Sequence, residues 1–364
     1  MRNHNPLRVL IVDDTIFYRK IVSDILSELP EVKVVGTAGN GKIAMSRVTS
    51  LNPDLLILDI EMPEMNGLEV LESIQELSLD VGAIVLSTLT QKGGEITIKA
   101  LELGAFDFIP KPDSGSMEKN RKGIKDSLPP MLKAFARRQE IRRILKGKSG
   151  LTVHGKSGVV QRMGAITSRR MSRSQIVGIG ISTGGPHALS QVMPELPADL
   201  GVPVLIVQHM PAVFTQALAK SLDSKSALEV KEAVNGEPVL PNIVFIAPGG
   251  KHMKVMAGAD GKSRIIRITD DPPENHCKPS IDYMFRSIAR HYVGRATGVI
   301  MTGMGSDGVL GAKLMKQNGS AIIAQDETSC VVFGMPKEAI DARVVDVIAP
   351  LDQISVEITK TVKI

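Results

Sequence analysis

Leu55-Leu56-Ile57-Leu58-Asp59, running on into Ile60-Glu61-Met62-Pro63, is four apolar residues in a row stopped by a carboxylate. A run this short is a buried strand, and one that is apolar on both faces belongs to a sheet covered on both sides. Working outward, Leu7–Val12 ends in Asp13-Asp14, Ala83–Ser87 runs into Thr88, and Phe106–Ile109 is followed by Lys111-Pro112; Val32–Thr37 is a fifth run of the same kind. Helix-length amphipathic stretches separate them. Strands alternating with helices imply parallel pairing through right-handed crossovers, hence a doubly wound α/β sheet of the flavodoxin-like type, whose chemistry lies beyond the strand C-termini.

The second half repeats the style. Gln175-Ile176-Val177-Gly178-Ile179-Gly180 opens it, and Val202–Val207, Ile243–Ile246, Ala296–Met301 and Ala321–Ala324 follow, giving a Rossmann-like parallel sheet. Met253–Ala257 and Ser263–Ile268 flank Asp260-Gly261, a turn pair that favours a hairpin and predicts an antiparallel edge.

Three strand ends of the first half carry polar groups that a buried strand has no use for: Asp13-Asp14, Asp59, and Ser87-Thr88, with Lys111 after the fifth. Carboxylates crowded at one edge repel unless a divalent cation neutralises them, and an oxygen-only set with open positions suits Mg²⁺ and phosphoryl oxygens. The alternative for any one aspartate is a helix cap. These residues, with Gly67, make the stretch from about 7 to 112 resemble a response-regulator receiver domain. The resemblance implies that Asp59 accepts a phosphoryl group from a histidine kinase. It further implies that Asp14 and Asp59 hold Mg²⁺ with Asp13 nearby, that Glu61 adds its backbone carbonyl, and that Ser87 and Lys111 sense the phosphoryl group.

Gly180-Ile181-Ser182-Thr183-Gly184-Gly185-Pro186 sits between a strand and a helical pattern, and two readings compete for it. A dinucleotide loop requires a carboxylate at the end of the next strand, which instead ends in Gln208-His209-Met210. A nucleophile turn puts Ser182 at the tip of a tight bend beside a helix N-terminus. Such a serine needs a base and an orienting acid, and His209 and Asp307, the latter within Met301–Gly308, end two further strands on the same expected edge. Taken singly, His209 reads as structural and Asp307 as a helix cap. Together with Ala247-Pro248-Gly249-Gly250 and Pro279-Ser280, these motifs are similar to the chemotaxis protein-glutamate methylesterase domain. The resemblance implies a serine hydrolase with Ser182, His209 and Asp307 as its triad and backbone amides near Thr183 and Met304 as oxyanion donors. Its substrates would be methyl esters, and often glutamines, of chemoreceptors, and the hydrolase chemistry would need no cofactor. Asn275–Ser280 matches a family segment without an assigned role.

The 364 residues, at about 150 per domain, fit two domains. The expected boundaries are 1–125, a basic linker over 126–173, and 174–364. Sixteen of the 44 Lys and Arg fall between 117 and 173 against three acids there, so both folded parts are mildly acidic. Inside the linker, Pro129-Pro130 followed by Met131, Leu132, Phe135, Ile141, Ile144 and Leu145 predicts an amphipathic helix, expected to help dock the receiver over the hydrolase face. The main competing class is a receiver-controlled DNA-binding regulator. It finds no basic recognition helix in the second half, and three Tyr, eight Phe and no Trp leave little for base stacking. A thiol nucleophile at Cys277 or Cys330 is disfavoured because neither follows a strand-end glycine turn. Two cysteines, no membrane-length apolar run and no signal-peptide pattern at Leu7–Val12 lead to the expectation of a cytoplasmic monomer without direct membrane insertion or nucleic-acid binding.

Overall fold

A computed structural model describes residues 6–111, 117–148, 160–162 and 172–363. The chain divides at residue 150 into two compact units. No helix among the described residues is long and apolar enough to cross a membrane.

The first unit alternates β1 (Leu7–Val12), α1 (Ile16–Ser27), β2 (Val32–Ala38), α2 (Gly41–Leu51), β3 (Leu55–Asp59), α3 (Gly67–Glu76), β4 (Gly82–Thr88), α4 (Gln91–Glu102), β5 (Asp107–Lys111) and α5 (Met117–Lys148). The sheet order β2-β1-β3-β4-β5 is parallel throughout, which is the flavodoxin-like order. Every residue of β3 is buried, as its unbroken apolar run requires. The order reverses between β1 and β3, so Asp13 and Asp59 end the two strands that flank the crevice.

Helix α5 departs from the sequence reading. It starts at Met117 instead of Pro129 and carries Pro129 and Pro130 in its interior. An interior proline costs a helix about 3 kcal/mol or more. The opposing gain is burial on both sides of the pair: Ile124, Leu128, Leu132 and Phe135 are all in the core, at roughly 1.5–3 kcal/mol each. The Phe135 ring meets Phe106 edge-on at 5.3 Å, and Arg121 and Lys125 pair with Glu28 just after α1. Within the apolar stripe expected to dock the receiver on the hydrolase, Leu132 and Phe135 are therefore already buried in the first unit itself. Residues 126–148 belong to this unit and are not linker. Pro112, residues 149–159 and 163–171, and the side chains of Ile144 and Leu145 lie outside the described residues.

The second unit contains β6 (Gln161–Arg162), β7 (Ile176–Ile181), α6 (Gly185–Val192), β8 (Val204–Gln208), α7 (Ala212–Asp223), β9 (Glu229–Glu232), β10 (Ile243–Ile246), β11 (His252–Ala257), β12 (Arg264–Thr269), α8 (Ile281–His291), β13 (Ala296–Ile300), α9 (Val309–Gln317), β14 (Ala321–Gln325), α10 (Met335–Asp341), β15 (Val347–Ala349) and α11 (Ile354–Val362). Eight strands run β6-β15-β14-β13-β7-β8-β10-β9, all parallel except β6, which pairs antiparallel with β15. The antiparallel edge thus comes from β6, in the stretch expected to be linker. The β11–β12 hairpin forms as expected but makes a two-stranded sheet of its own. It buries Met253, Val255 and Ile266, and the Val255 amide donates to Ser287 Oγ of α8 at 3.0 Å.

The strand order of this sheet reverses between β7 and β13. Helix α8 lies so close over β7 that a Cβ on Gly180 would come within 2.4 Å of Ile281. This glycine is there for helix packing.

Candidate active sites at two sheet edges

In the first unit, Asp13, Asp59 and Lys111 end β1, β3 and β5. Lys111 Nζ lies 2.9 Å from Asp13 Oδ2 and 2.7 Å from Asp59 Oδ2, with all three side chains nearly inaccessible. Burial pushes the Asp59 carboxyl up to about 6; Lys111 opposes this, the Asp13 charge adds to it, and a hydrogen bond from the Glu61 backbone amide eases it. Burial would lower the Lys111 pKa, but the two carboxylates overcome it and hold the ammonium charged. Asp14 is exposed, and Asp13, Asp14 and Asp59 each offer an oxygen within 4.8 Å of the others. This all-oxygen set fits a hard divalent cation such as Mg²⁺. Ser87 is buried at the end of β4, with its hydroxyl turned to Thr97 Oγ1 and Gly93 O.

In the second unit, three loops meet at the switch point. The Ser182 amide donates to Thr302 O at 2.9 Å, and Gln208 Nε2 donates to Ser182 O at 3.0 Å, tying the β7 end to the ends of β13 and β8. A Cβ on Gly303 would stand 2.6 Å from Ser182 Cβ and 2.7 Å from Met335 Sδ, so only glycine lets the Met301–Gly308 loop come this close. Thr183 is buried, and Met304 is half-buried at the tip of that loop. His209 Nε2 and Asp307 Oδ2 are 2.9 Å apart. Among the described residues the Ser182 hydroxyl makes no hydrogen bond to His209; the structure gathers the three residues but links only two of them directly.

Asp307 is 3% exposed and well supplied with donors. The amides of Ile281 (2.7 Å) and Asp282 (3.1 Å), at the N-terminus of α8, donate to it, as do Ser280 Oγ (3.0 Å) and Asn275 Nδ2 (3.1 Å). Burial would raise its pKa, but His209 and the helix amides together take it down to about 2. Burial would likewise discharge His209, yet hydrogen bonding to Asp307 and to Cys277 pushes the imidazole up to about 9. Because Nε2–H is directed at the carboxylate, the neutral ring keeps its lone pair on Nδ1. That atom lies 3.7 Å from Cys277 Sγ.

Asn275, Cys277 and Ser280 are the residues that sequence reasoning left without a role. Ser280 had a readable signal: it is the N-cap of α8, accepting from the Tyr283 amide at 3.3 Å. The contact of Cys277 with His209 spans 68 residues and leaves no periodic trace.

Fold and sites define a two-part α/β protein with an acidic phosphoryl-type edge on one sheet and a Ser/His/Asp edge on the other. Residues 9–119 match the response regulator receiver domain model, and residues 177–358 match the CheB methylesterase model. The chain belongs to the CheB methylesterase family, with a receiver domain in front. It is 49% identical to the protein-glutamate methylesterase/protein-glutamine glutaminase of Desulfotalea psychrophila over 98% of this chain and 99% of that one. The Bacillus subtilis protein of the same name is 43% identical over the same shares. The crystal structure of the Thermotoga maritima CheB methylesterase catalytic domain matches at 40% identity with a TM-score of 0.50, covering 52% of this chain and 99% of that chain. A receiver-controlled DNA-binding regulator is not supported by these matches.

Proposed function

We propose that this chain is a phosphorylation-controlled protein-glutamate methylesterase that also deamidates glutamine side chains, acting in the cytoplasm on chemoreceptors as part of chemotactic adaptation. The observation that carries this reading is the His209–Asp307 contact of 2.9 Å beside Ser182, at the switch point of the parallel sheet.

His209 Nδ1 removes the Ser182 hydroxyl proton as Oγ bonds to the glutamyl carbonyl carbon. In free enzymes such contacts are commonly loose and tighten with substrate. Backbone amides near Thr183 and Met304 receive the oxyanion. On collapse the C–O bond to methyl oxygen breaks, and methoxide takes the proton from His209 and leaves as methanol. A water molecule then gives its proton to Nδ1 and attacks the glutamyl-serine ester, returning Ser182 and a free carboxylate. With a glutamine side chain the departing group is ammonia. Asp307 keeps Nε2–H in place and stabilises the imidazolium formed twice per turnover.

In the receiver, Asp59 takes the phosphoryl group of a chemotaxis histidine kinase. Asp13, Asp14, Asp59 and the backbone carbonyl of Glu61 would hold Mg²⁺, which supplies positive charge to the phosphoryl oxygens. Lys111 gives a second positive charge, and Ser87, leaving Thr97, donates to the phosphoryl group. Phosphorylation then relieves a restraint that the first unit places on the second.

The test is methanol release from methyl-labelled receptor membranes by the full chain. Wild type releases label, and Ser182→Ala, folded by circular dichroism, does not; near wild-type release by that variant would rule out the serine mechanism.

A further inference from the structure

Cys277 stands beside the catalytic base but forms no bond to the reacting atoms in the hydrolysis. Its Sγ faces the nitrogen of His209 that is not held by Asp307, at 3.7 Å. A tetrahedral zinc ion bound to one histidine nitrogen and one thiolate holds those atoms about 3.6 Å apart, from bond lengths of roughly 2.0–2.1 and 2.3 Å. The spacing that accommodates the thiol hydrogen bond also matches that of a bridging ion. The third partner is also in position, because metal-binding histidines commonly donate their other N–H to a carboxylate, as His209 Nε2 does to Asp307. One oxygen of Asp307, one nitrogen of His209 and the Cys277 sulfur all lie within 4.8 Å of one another.

The thiol is held in place by its loop. The Glu274 and Cys277 backbones exchange hydrogen bonds of 3.1 and 2.8 Å, and Arg286 grips the Glu274 carboxylate with two contacts. The neighbouring Lys278 does not compete for the site, since its Nζ is engaged by Asp270 at 2.6 Å. Both Cys277 and His209 are half-buried, which leaves solvent to fill the remaining coordination positions.

We propose that Cys277 Sγ and His209 Nδ1, backed by Asp307, form an inhibitory site for a thiophilic divalent cation, with zinc as the fitting ion. Binding releases the thiol proton to solvent and ties up the lone pair that would accept the Ser182 proton. No oxidant is needed, and a chelator restores the enzyme. Magnesium and calcium, which seek oxygen donors, leave this site alone.

The inhibition arm of the test rests on the methylesterase reading; the binding arm does not. The full chain, with excess Mg²⁺ to occupy the receiver carboxylates, is titrated with Co²⁺ and scanned for thiolate-to-cobalt absorption. Wild type shows the band and zinc abolishes it. Cys277→Ser and Cys277→Ala lack it although Cys330, the only other thiol, remains buried in both. In parallel, zinc inhibits methanol release by wild type at a concentration about tenfold or more below that needed for Cys277→Ser, each referred to its own metal-free rate. An equal cobalt band in Cys277→Ser, no band in wild type, or equal zinc sensitivity of the two proteins would overturn the site. A band that depends on Cys277 in a chain releasing no methanol would sink the hydrolase reading and leave the metal site standing.

Discussion

Asp307 accepts hydrogen bonds from His209 Nε2, two backbone amides of α8, Ser280 Oγ and Asn275 Nδ2, so its charge and position are fixed before substrate arrives. Asp307→Asn keeps the shape but offers the wrong atom to the imidazole; single-turnover rates should fall about 10⁴-fold, the scale seen when an orienting acid is lost in a serine hydrolase. Asn275→Ala removes one of five donors and should cost about tenfold in kcat, in line with one hydrogen bond to a charged group. The pH profile follows from the base. His209 works only when neutral, and its pKa is raised to about 9 through Asp307 and Cys277. Thus kcat/KM should climb with pH through the range above the ordinary histidine value of about 6.5 and level off only near the raised value. Cys277→Ser, which removes one cause of the rise, should move that limb to lower pH. A limb at the ordinary value in wild type would contradict the arrangement.

Among the elements, the Met301–Gly308 loop and α5 make separate demands. Gly303→Ala drives a methyl group into Ser182 Cβ and Met335 Sδ, at 2.6 and 2.7 Å, and should lower activity steeply at a stability cost of about 1–3 kcal/mol. Phe135→Ala should cost about 3 kcal/mol and show as faster hydrogen exchange in β4 and β5, because its ring fills the space over Gly82 and beside Phe106. The parallel core strands were legible because strands buried on both faces are unbroken apolar runs, and the polar residues following them drew attention to Asp13, Asp59, Lys111 and Ser182, whereas His209 and Asp307 stood out only as part of a set. Other elements gave no such signal. Glu229–Glu232 is a charged edge strand, Val347–Ala349 has three residues, and Gln161–Arg162 is two polar residues that pair only because β15 is there. Helix α5 hid behind its prolines, since packing outweighed local propensity. The partner of the Ser87 hydroxyl, Thr97, is a packing fact between β4 and α4 that residue type alone does not disclose.

The whole molecule joins a unit built to accept a phosphoryl group to one built for hydrolysis. A phosphoryl group at Asp59 acts by changing the population of restrained and active forms, and a full reversal from 99:1 to 1:99 would need about 5.5 kcal/mol of differential stability. Partial relief is therefore expected: a small phosphodonor with Mg²⁺ should raise methanol release by wild type several-fold and leave Asp59→Asn unchanged. A fragment that keeps β6, beginning at Leu151, should be active on its own and should need no phosphodonor. A folded Leu151 fragment no faster than the unphosphorylated full chain would remove the restraint from the account. The hydrolysis itself is tested most directly by acid quench of the full chain reacting with a methylated receptor peptide, followed by mass mapping of the enzyme. A glutamyl ester on Ser182 that is absent from Ser182→Ala is expected, whereas an adduct on any other residue, or undiminished methanol release by Ser182→Ala, would contradict the serine mechanism.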